Sequence, residues 1–416
     1  MVLVAIFLSV FLGYCAVGAV VPVLPRYVHG ALHAGDVALA MVMGAEALTA
    51  ILGRPLAGQV GRRFGWKRLI VAGALITAAA GAGYALATSV AALMATRLLL
   101  GVGAALMVTA GGAWTVQIAP ASRRGQALGL FGLSMWAGFA IGPIAGDALW
   151  RLHSYGAVWT FAVLSPLAGA AIASLVPYTH RAEAGGASSW TLFPRPVLRP
   201  GVALALAAMG YSALFTFGVL FVDTRGWTGG ATMLSIFGIS FVTGRAAASG
   251  LPDRFGPTRT ASVAALCEAA GLLLLLVAPA RELAFAGAAL LGAGFSMVYP
   301  SLALIAVNGT PPAERGVAIG AFTSFFDVAV LAAGVTLGPV AERFGYGATL
   351  WVALACACGS AVLSHRTGLA AAARAVAAEH ADGSAVNADH MDHMDNMDDA
   401  DNDDADDEVM PVRRAG

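Results

Sequence analysis

The sequence predicts an all-α membrane protein of twelve transmembrane helices in two pseudo-symmetric six-helix bundles. Three observations carry that prediction. Apolar residues make up 58% of the 416 residues and charged residues only 12%, against roughly 25% charged in ordinary soluble domains; mean hydropathy is +0.77. Apolar runs, each near the ~20 residues a helix needs to cross a bilayer, alternate with short polar breaks. The chain also repeats itself at an offset of 191 residues. Arg63-Phe64-Gly65 recurs as Arg254-Phe255-Gly256, Pro120, Arg124 and Gly129 recur as Pro311, Arg315 and Gly320, and Tyr155-Gly156-Ala157 recurs as Tyr346-Gly347-Ala348. One six-helix unit therefore occurs twice.

The first run, near 3–24, closes on Pro22-Val23-Leu24-Pro25; this is no small-residue cleavage site, so the run reads as a span and not as a secretory signal. Runs near 36–57 and 67–89 flank the basic loop that contains Gly58, Arg62, Arg63 and Gly65. The fourth, near 91–113, leads to Pro120, and the fifth, near 126–148, is rich in glycine, which lets membrane helices approach closely or bend. The sixth, near 156–177, completes a first bundle over residues 1–177. Residues 178–200, with Gly, Ser and Pro, read as a linker between the halves. Runs near 201–222, 229–250, 260–280, 283–306, 317–340 and 346–365 then build a second bundle over 201–366, with Asp253, Arg254 and Gly256 in the loop that answers the first basic one.

The net charge of zero hides an acidic tail on a basic body, because residues 367–416 hold 13 of the 24 acidic side chains and three of the 24 basic ones. Loops after the even-numbered runs, the helix ends beside them and the tail hold 18 of the 24 Lys and Arg. By the positive-inside rule both termini are cytoplasmic. The tail carries His390, Met391, His393 and Met394, side chains that ligate transition metals; the plainer alternative is a solvated, low-complexity acidic segment. The four cysteines, Cys15, Cys267, Cys356 and Cys358, all lie in apolar runs, and no disulfide framework is implied.

Ionisable groups inside a membrane are costly and are functional candidates by default. Glu46 in the second run and Arg97 in the fourth lie at similar depths in one bundle. A carboxylate held between burial and a neighbouring cation is what proton coupling requires. The alternative is that Arg97 only hydrogen-bonds the backbone of the first span. Asp327 in the eleventh run is the acidic candidate of the second bundle. It corresponds to Trp136 under the repeat, giving a cavity one anionic and one aromatic wall, a pairing that suits cationic amphipathic compounds. Glu268 in the ninth run is expected to serve a structural hydrogen bond.

Several motifs resemble the major facilitator superfamily. Arg97-x-x-x-Gly101-x-Gly103 resembles its fourth-helix motif, and Gly138-x-x-x-Gly142-Pro143-x-x-Gly146 the fifth-helix motif of its drug:proton antiporter branch. The resemblance covers residues 1 to about 366 and implies two parallel repeats around a midplane binding site. It also implies a cavity lined by helices 1, 7 and 10, hence Tyr14, Tyr211, Phe215 and Tyr299 as substrate contacts. The family's loop after helix 2 reads Gly-x-x-x-Asp-Arg-x-Gly, but here Arg62 stands at the acidic position, and Asp253 stands there in the second copy. Arg123 and Glu314, also related by the repeat, are reversed in charge too. Family geometry then juxtaposes Arg62 with Glu314 and Asp253 with Arg123, two ion pairs expected to form when the cytoplasmic side closes.

No catalytic triad, nucleotide-binding loop or metalloenzyme spacing appears. The expectation is a non-enzymatic, cofactor-free, monomeric transporter in a bacterial cytoplasmic membrane. It would be a proton-coupled exporter of small drug-like or sugar-like organic compounds, with small molecules, protons and the bilayer as partners and no nucleic acid. A transition-metal exporter with a metal-buffering tail, a passive uptake facilitator, and a receptor or scaffold that moves nothing are the competing readings.

Overall fold

A computed structural model describes residues 2–120, 123–177, 195–311 and 315–367. Twelve of its helices are long and apolar enough to cross a membrane. They are α1 (Val2–Ala31), α2 (Asp36–Phe64), α3 (Trp66–Leu86), α4 (Val90–Ile118), α5 (Arg124–Leu152), α6 (Tyr155–Leu175), α7 (Arg195–Thr224), α8 (Gly230–Ala248), α9 (Pro257–Val277), α10 (Arg281–Asn308) and α11 (Arg315–Phe344), then α12 (Tyr346–Thr367). No β-strand occurs among the described residues. Without water inside a bilayer a backbone must satisfy its own polar groups, and a helix does so along its whole length.

Two boundaries differ from the sequence expectation. The first span runs on past Pro25 to Ala31, because the chain stays wound through a widened turn in which Leu32 N–H donates to the Tyr27 carbonyl at 3.1 Å. The span expected from residue 201 begins at Arg195, inside the expected linker. Pro196 is tolerated there because the first turn of a helix has no N–H partners to lose. The rest of that linker and the tail beyond Thr367, with His390, Met391, His393 and Met394, lie outside the described residues.

Short breaks turn the chain between spans. Gly65 (φ 95°) and Gly256 (φ 85°) stand at corresponding places after α2 and α8, in a backbone region that side chains rarely adopt. After α8 a short helix, Leu251–Phe255, intervenes before Gly256. Lys67 donates to the carbonyls of Ser174 (2.8 Å) and Val176 (2.6 Å), so the chain's one lysine satisfies acceptors at the end of α6.

Helices in lipid gain nothing from simply burying apolar surface against one another, so close backbone approach through small residues matters. α5 shows this most clearly. A Cβ on Gly138 would sit 2.7 Å from the Tyr14 backbone, one on Gly142 2.7 Å from the Cys15 carbonyl, and one on Gly146 would overlap the Ala19 carbonyl. Three glycines four residues apart form a groove that seats α1. Pro143 lies within this helix without ending it.

The two halves meet at one end. Where α2 crosses α11, a Cβ on Gly44 would lie 2.9 Å from Gly334 Cα, and one on Gly338 2.8 Å from Val37 Cα; where α8 crosses α5, a Cβ on Gly238 would lie 2.6 Å from Ala140 Cα. At that same end Tyr346 donates to Asp36 (3.2 Å) and Arg26 approaches Asp223 (3.9 Å). At the other end the halves part. Gly58 and Gly320, and likewise Gly129 and Gly132, have nothing within 4 Å of where a Cβ would stand. The structure is a cleft sealed at the Gly345 end and open at the Gly65 end.

Candidate functional site

Three charged groups decide the chemistry of the interior, and α4 positions the first. A Cβ on Gly101 would overlap the Glu46 carbonyl, so glycine there lets α4 lie directly on α2. One turn earlier on the same face, Arg97 reaches across: Nε donates to the Val42 carbonyl (3.2 Å), Nη2 to the Met43 carbonyl (3.2 Å) and Nη1 to the Tyr84 hydroxyl (3.3 Å). Nη2 also stands 3.1 Å from Glu46 Oε2. The guanidinium is anchored to backbone of the second span, not the first, and its side chain is 2% exposed against 25% for Glu46. The arginine is fixed, and the carboxylate is the part free to leave.

Glu46 and Arg97 line a small cavity together with Met43, Phe139, Tyr211 and Phe215. Beyond it lies an aromatic cluster built from both halves. Trp136 stacks on Phe241 with ring centres 3.9 Å apart and meets Tyr211 edge-on at 5.6 Å; Tyr211 lies 4.4 Å from Phe215, and Phe139 meets Tyr14 at 5.5 Å. Such contacts add about 0.5–1.5 kcal/mol each beyond area burial. The structure thus gathers four of the aromatic candidates, Tyr14, Trp136, Tyr211 and Phe215, into one plug. Tyr299 stands apart, its hydroxyl 2.8 Å from Thr323 Oγ1.

Asp327 and Trp136 were expected to form facing walls, yet the structure gives them different partners. Arg54 grips Asp327 with two contacts, Nε to Oδ2 at 2.8 Å and Nη2 to Oδ1 at 3.0 Å, while Trp136 lies on Phe241. A carboxylate so neutralised presents no free negative wall to a cation. Arg54 belongs to the first half and Asp327 to the second, so this pair ties the halves together at the apex of the cleft.

Sequence reasoning missed Arg54, which counted only as a helix end beside the basic loop. It missed Arg245 as well, on α8, whose guanidinium lies 5.4 Å from the Phe241 ring centre. The repeat itself was the available signal: Gly53-Arg54 and Gly244-Arg245 stand 191 residues apart. Also unforeseen was the polar seal at the Gly345 end, where Arg26 pairs with Asp147 at 3.1 Å, packs 4.5 Å over Trp150, and approaches Asp223. Asp36 there receives Tyr346 and His29.

The gating residues named from the loops sit at the parted end. Arg62, Arg63, Arg123, Asp253 and Arg254 are exposed, and among the described residues Arg123 and Asp253 form no ion pair. Glu314, the expected partner of Arg62, lies outside the described residues. Glu268 is fully buried, and neither carboxyl oxygen has a hydrogen-bond partner among the described residues, so no structural hydrogen bond accounts for it there. No group of three His, Cys, Asp or Glu side chains gathers among the described residues.

Residues 6–334 match the Major Facilitator Superfamily. An uncharacterised MFS-type transporter of Salmonella typhimurium is 29% identical over 373 residues, covering 86% of this chain and 94% of the relative. Another, from Burkholderia mallei, is 31% identical over 364 residues, covering 85% and 88%. Among solved structures, the nucleoside transporter NupG superposes with a TM-score of 0.73 at 16% identity, covering 89% of this chain and 99% of that one. A bacterial homologue of the human lysosomal transporter Spinster, in an inward-facing and unoccupied conformation, gives 0.70 at 14% identity, covering 88% and 97%.

Proposed function

The chain belongs to the Major Facilitator Superfamily, and from that premise we propose that it is a proton-coupled exporter of small organic compounds working by alternating access. It would sit in a bacterial cytoplasmic membrane with the Gly65 end and both termini in the cytoplasm, the side to which its basic loops point. The conformation described above is then inward-open.

The observation that carries this reading is the Glu46–Arg97 pair on the wall of a cavity between the halves. Because Arg97 holds three further acceptors, protonation of Glu46 removes the attraction without unseating the arginine. A proton thereby changes the charge facing Tyr211 and Phe215 of the opposite half, and only a ligand that acts differently on two states can shift their balance. The Arg54–Asp327 bridge supplies a second charged contact that must persist or part as the halves rock. The groove of Gly138, Gly142 and Gly146 against α1 supports placing the chain with the drug:proton antiporters, since that motif here has a packing role in the half that holds Glu46.

The test has two arms. Expressing and non-expressing cells are compared over antibiotics, sugars, organic acids and metals, and any compound tolerated better on expression is then followed in proteoliposomes with and without an imposed pH gradient. Gradient-driven flux supports the reading. Flux indifferent to the gradient makes the protein a passive facilitator, and a tolerance confined to metals sinks the organic-compound assignment.

A further inference from the structure

Within the spans, two of the three arginines that reach the interior have carboxylate partners. Arg97 has Glu46 and Arg54 has Asp327. Arg245 has none among the described residues: its contact there is the face of Phe241, and its Nε is buried without a hydrogen-bond acceptor. A cation in a membrane interior that lacks an anion is costly and marks a site.

Its position is fixed by α8. Gly238, Phe241 and Arg245 recur at helical spacing and share a face. Gly238 meets Ala140 of α5, and Phe241 stacks on Trp136 one turn further along. Opposite the next turn of α8, α5 presents Gly132, with open space where a side chain would be. Arg245 therefore stands at the floor of the open cleft, beside the aromatic plug. Arg245 lies in the last turn of α8, and the short helix Leu251–Phe255 follows it in the chain. Tyr299 lies within electrostatic reach of both Arg245 and Arg54. The repeat puts an arginine on each side of the cleft, and Asp327 neutralises only one.

We propose that Arg245 is the charge-recognition residue of the substrate site, and that the transported compound is a small organic anion. Its carboxylate or sulfonate takes the free guanidinium and its apolar body lies against the aromatic plug. This deepens the exporter reading and rests on it for the cleft being a transport path. It replaces the expectation of a cationic substrate, which depended on an unpaired Asp327. One monovalent anion neutralises Arg245, as Asp327 neutralises Arg54.

Equilibrium binding to the purified full-length protein tests this apart from transport. The probes are 2-naphthoate, its neutral amide, and 2-naphthylmethylammonium, read by titration calorimetry in phosphatidylcholine nanodiscs. Naphthoate should bind, and the amide and the ammonium compound should bind at least about tenfold more weakly, the loss expected when a charged hydrogen bond is removed. Arg245→Gln should weaken naphthoate by about tenfold to a hundredfold, with Arg245→Lys between it and the parent. If Arg245→Gln does not fold, the ranking of the three probes on the parent protein decides alone. Preference for the ammonium compound, or naphthoate binding unchanged in a folded Arg245→Gln, overturns the proposal. An anionic lipid is the other source of the same chemistry, and occupancy by phosphatidylglycerol that naphthoate fails to displace also overturns it. Proton coupling is read separately, from gradient-driven flux, so naphthoate that binds but ignores the gradient would refute the exporter reading and leave the anion site standing.

Discussion

Arg54 and Asp327 join the two halves of the molecule by a two-pronged contact, 2.8 and 3.0 Å, with Asp327 6% exposed and Arg54 21%. Only the Nη2–Oδ1 contact is a hydrogen bond; the Nε–Oδ2 approach is an ion-pair contact beside it, and a hydrogen bond between two charged groups is stronger than one between neutral groups. Further along the same two helices, Gly58 and Gly320 have nothing within 4 Å of where a Cβ would stand.

Removing one partner leaves a charge in the interior with nothing to neutralise it. Asp327→Asn should therefore cost about 3 kcal/mol, the lower end for a broken buried pair because Arg54 retains some access to water. The double variant Arg54→Asp with Asp327→Arg should recover most of that loss. Thermal unfolding in detergent checks both. A double variant no more stable than the worse single one would mean that the two side chains do not act as a pair.

Glu46→Gln is expected to abolish gradient-driven transport while leaving the fold intact, because Arg97 keeps its three hydrogen bonds to Val42, Met43 and Tyr84. The split to look for is between driven flux, which should vanish, and substrate counterflow without a gradient, which should survive. Undiminished driven flux would remove Glu46 from the proton path.

At Gly101 any side chain would enter the Glu46 carbonyl. Gly101→Val should push α4 off α2, cost about 1–3 kcal/mol through overpacking, and displace Arg97 from Glu46. Reduced stability together with lost coupling is the expected phenotype. A variant that keeps full coupling would show that the pair does not depend on this approach.

The architecture was legible because it rests on run length and repetition, which single residues cannot blur. The fifth-helix glycines were equally visible, although their use, seating α1, is a property of the packed fold. The site was only half legible. Glu46 and Arg97 announced themselves as charges inside apolar runs, but Arg54 and Arg245 stand close enough to the basic loops to pass for part of them. The start of α7 was hidden by Pro196 and Pro200, which read as linker, although Pro196 falls in the first turn, where a helix tolerates proline, and Pro200 lies inside the helix. The seal at the Gly345 end joins Arg26 to Asp147 and Asp223, far apart in the chain and at odd-numbered loops where charge is sparse. No local pattern could have paired them.

The contact between Gly44 and Gly334 offers the most direct handle on alternating access. Each glycine faces the other's backbone, with less than 3 Å between a built Cβ and the partner's Cα, so the Gly345 end can seal only while both positions lack a side chain. Gly334→Val adds bulk against Gly44 and also against the Ala40 carbonyl, which a Cβ there would meet at 2.8 Å. The sealed end must then spread, and rocking about the central site would bring the Gly65 end together. A cysteine placed at Gly58, in open space here, reports that closure in a background where Cys15, Cys267, Cys356 and Cys358 are replaced by serine. Labelling by a membrane-impermeant maleimide in inside-out vesicles should be rapid with Gly334 in place and about tenfold slower in Gly334→Val, as a shift of ~2.7 kcal/mol, from about ten-to-one open to about ten-to-one closed, would produce. The same cysteine also examines the reversed ion pairs, because closure of the Gly65 end is when Asp253 and Arg123 should meet. Combining Gly334→Val with Asp253→Arg should restore part of the labelling rate. Labelling equally fast in all of these proteins would mean that the two ends do not open and close in opposition.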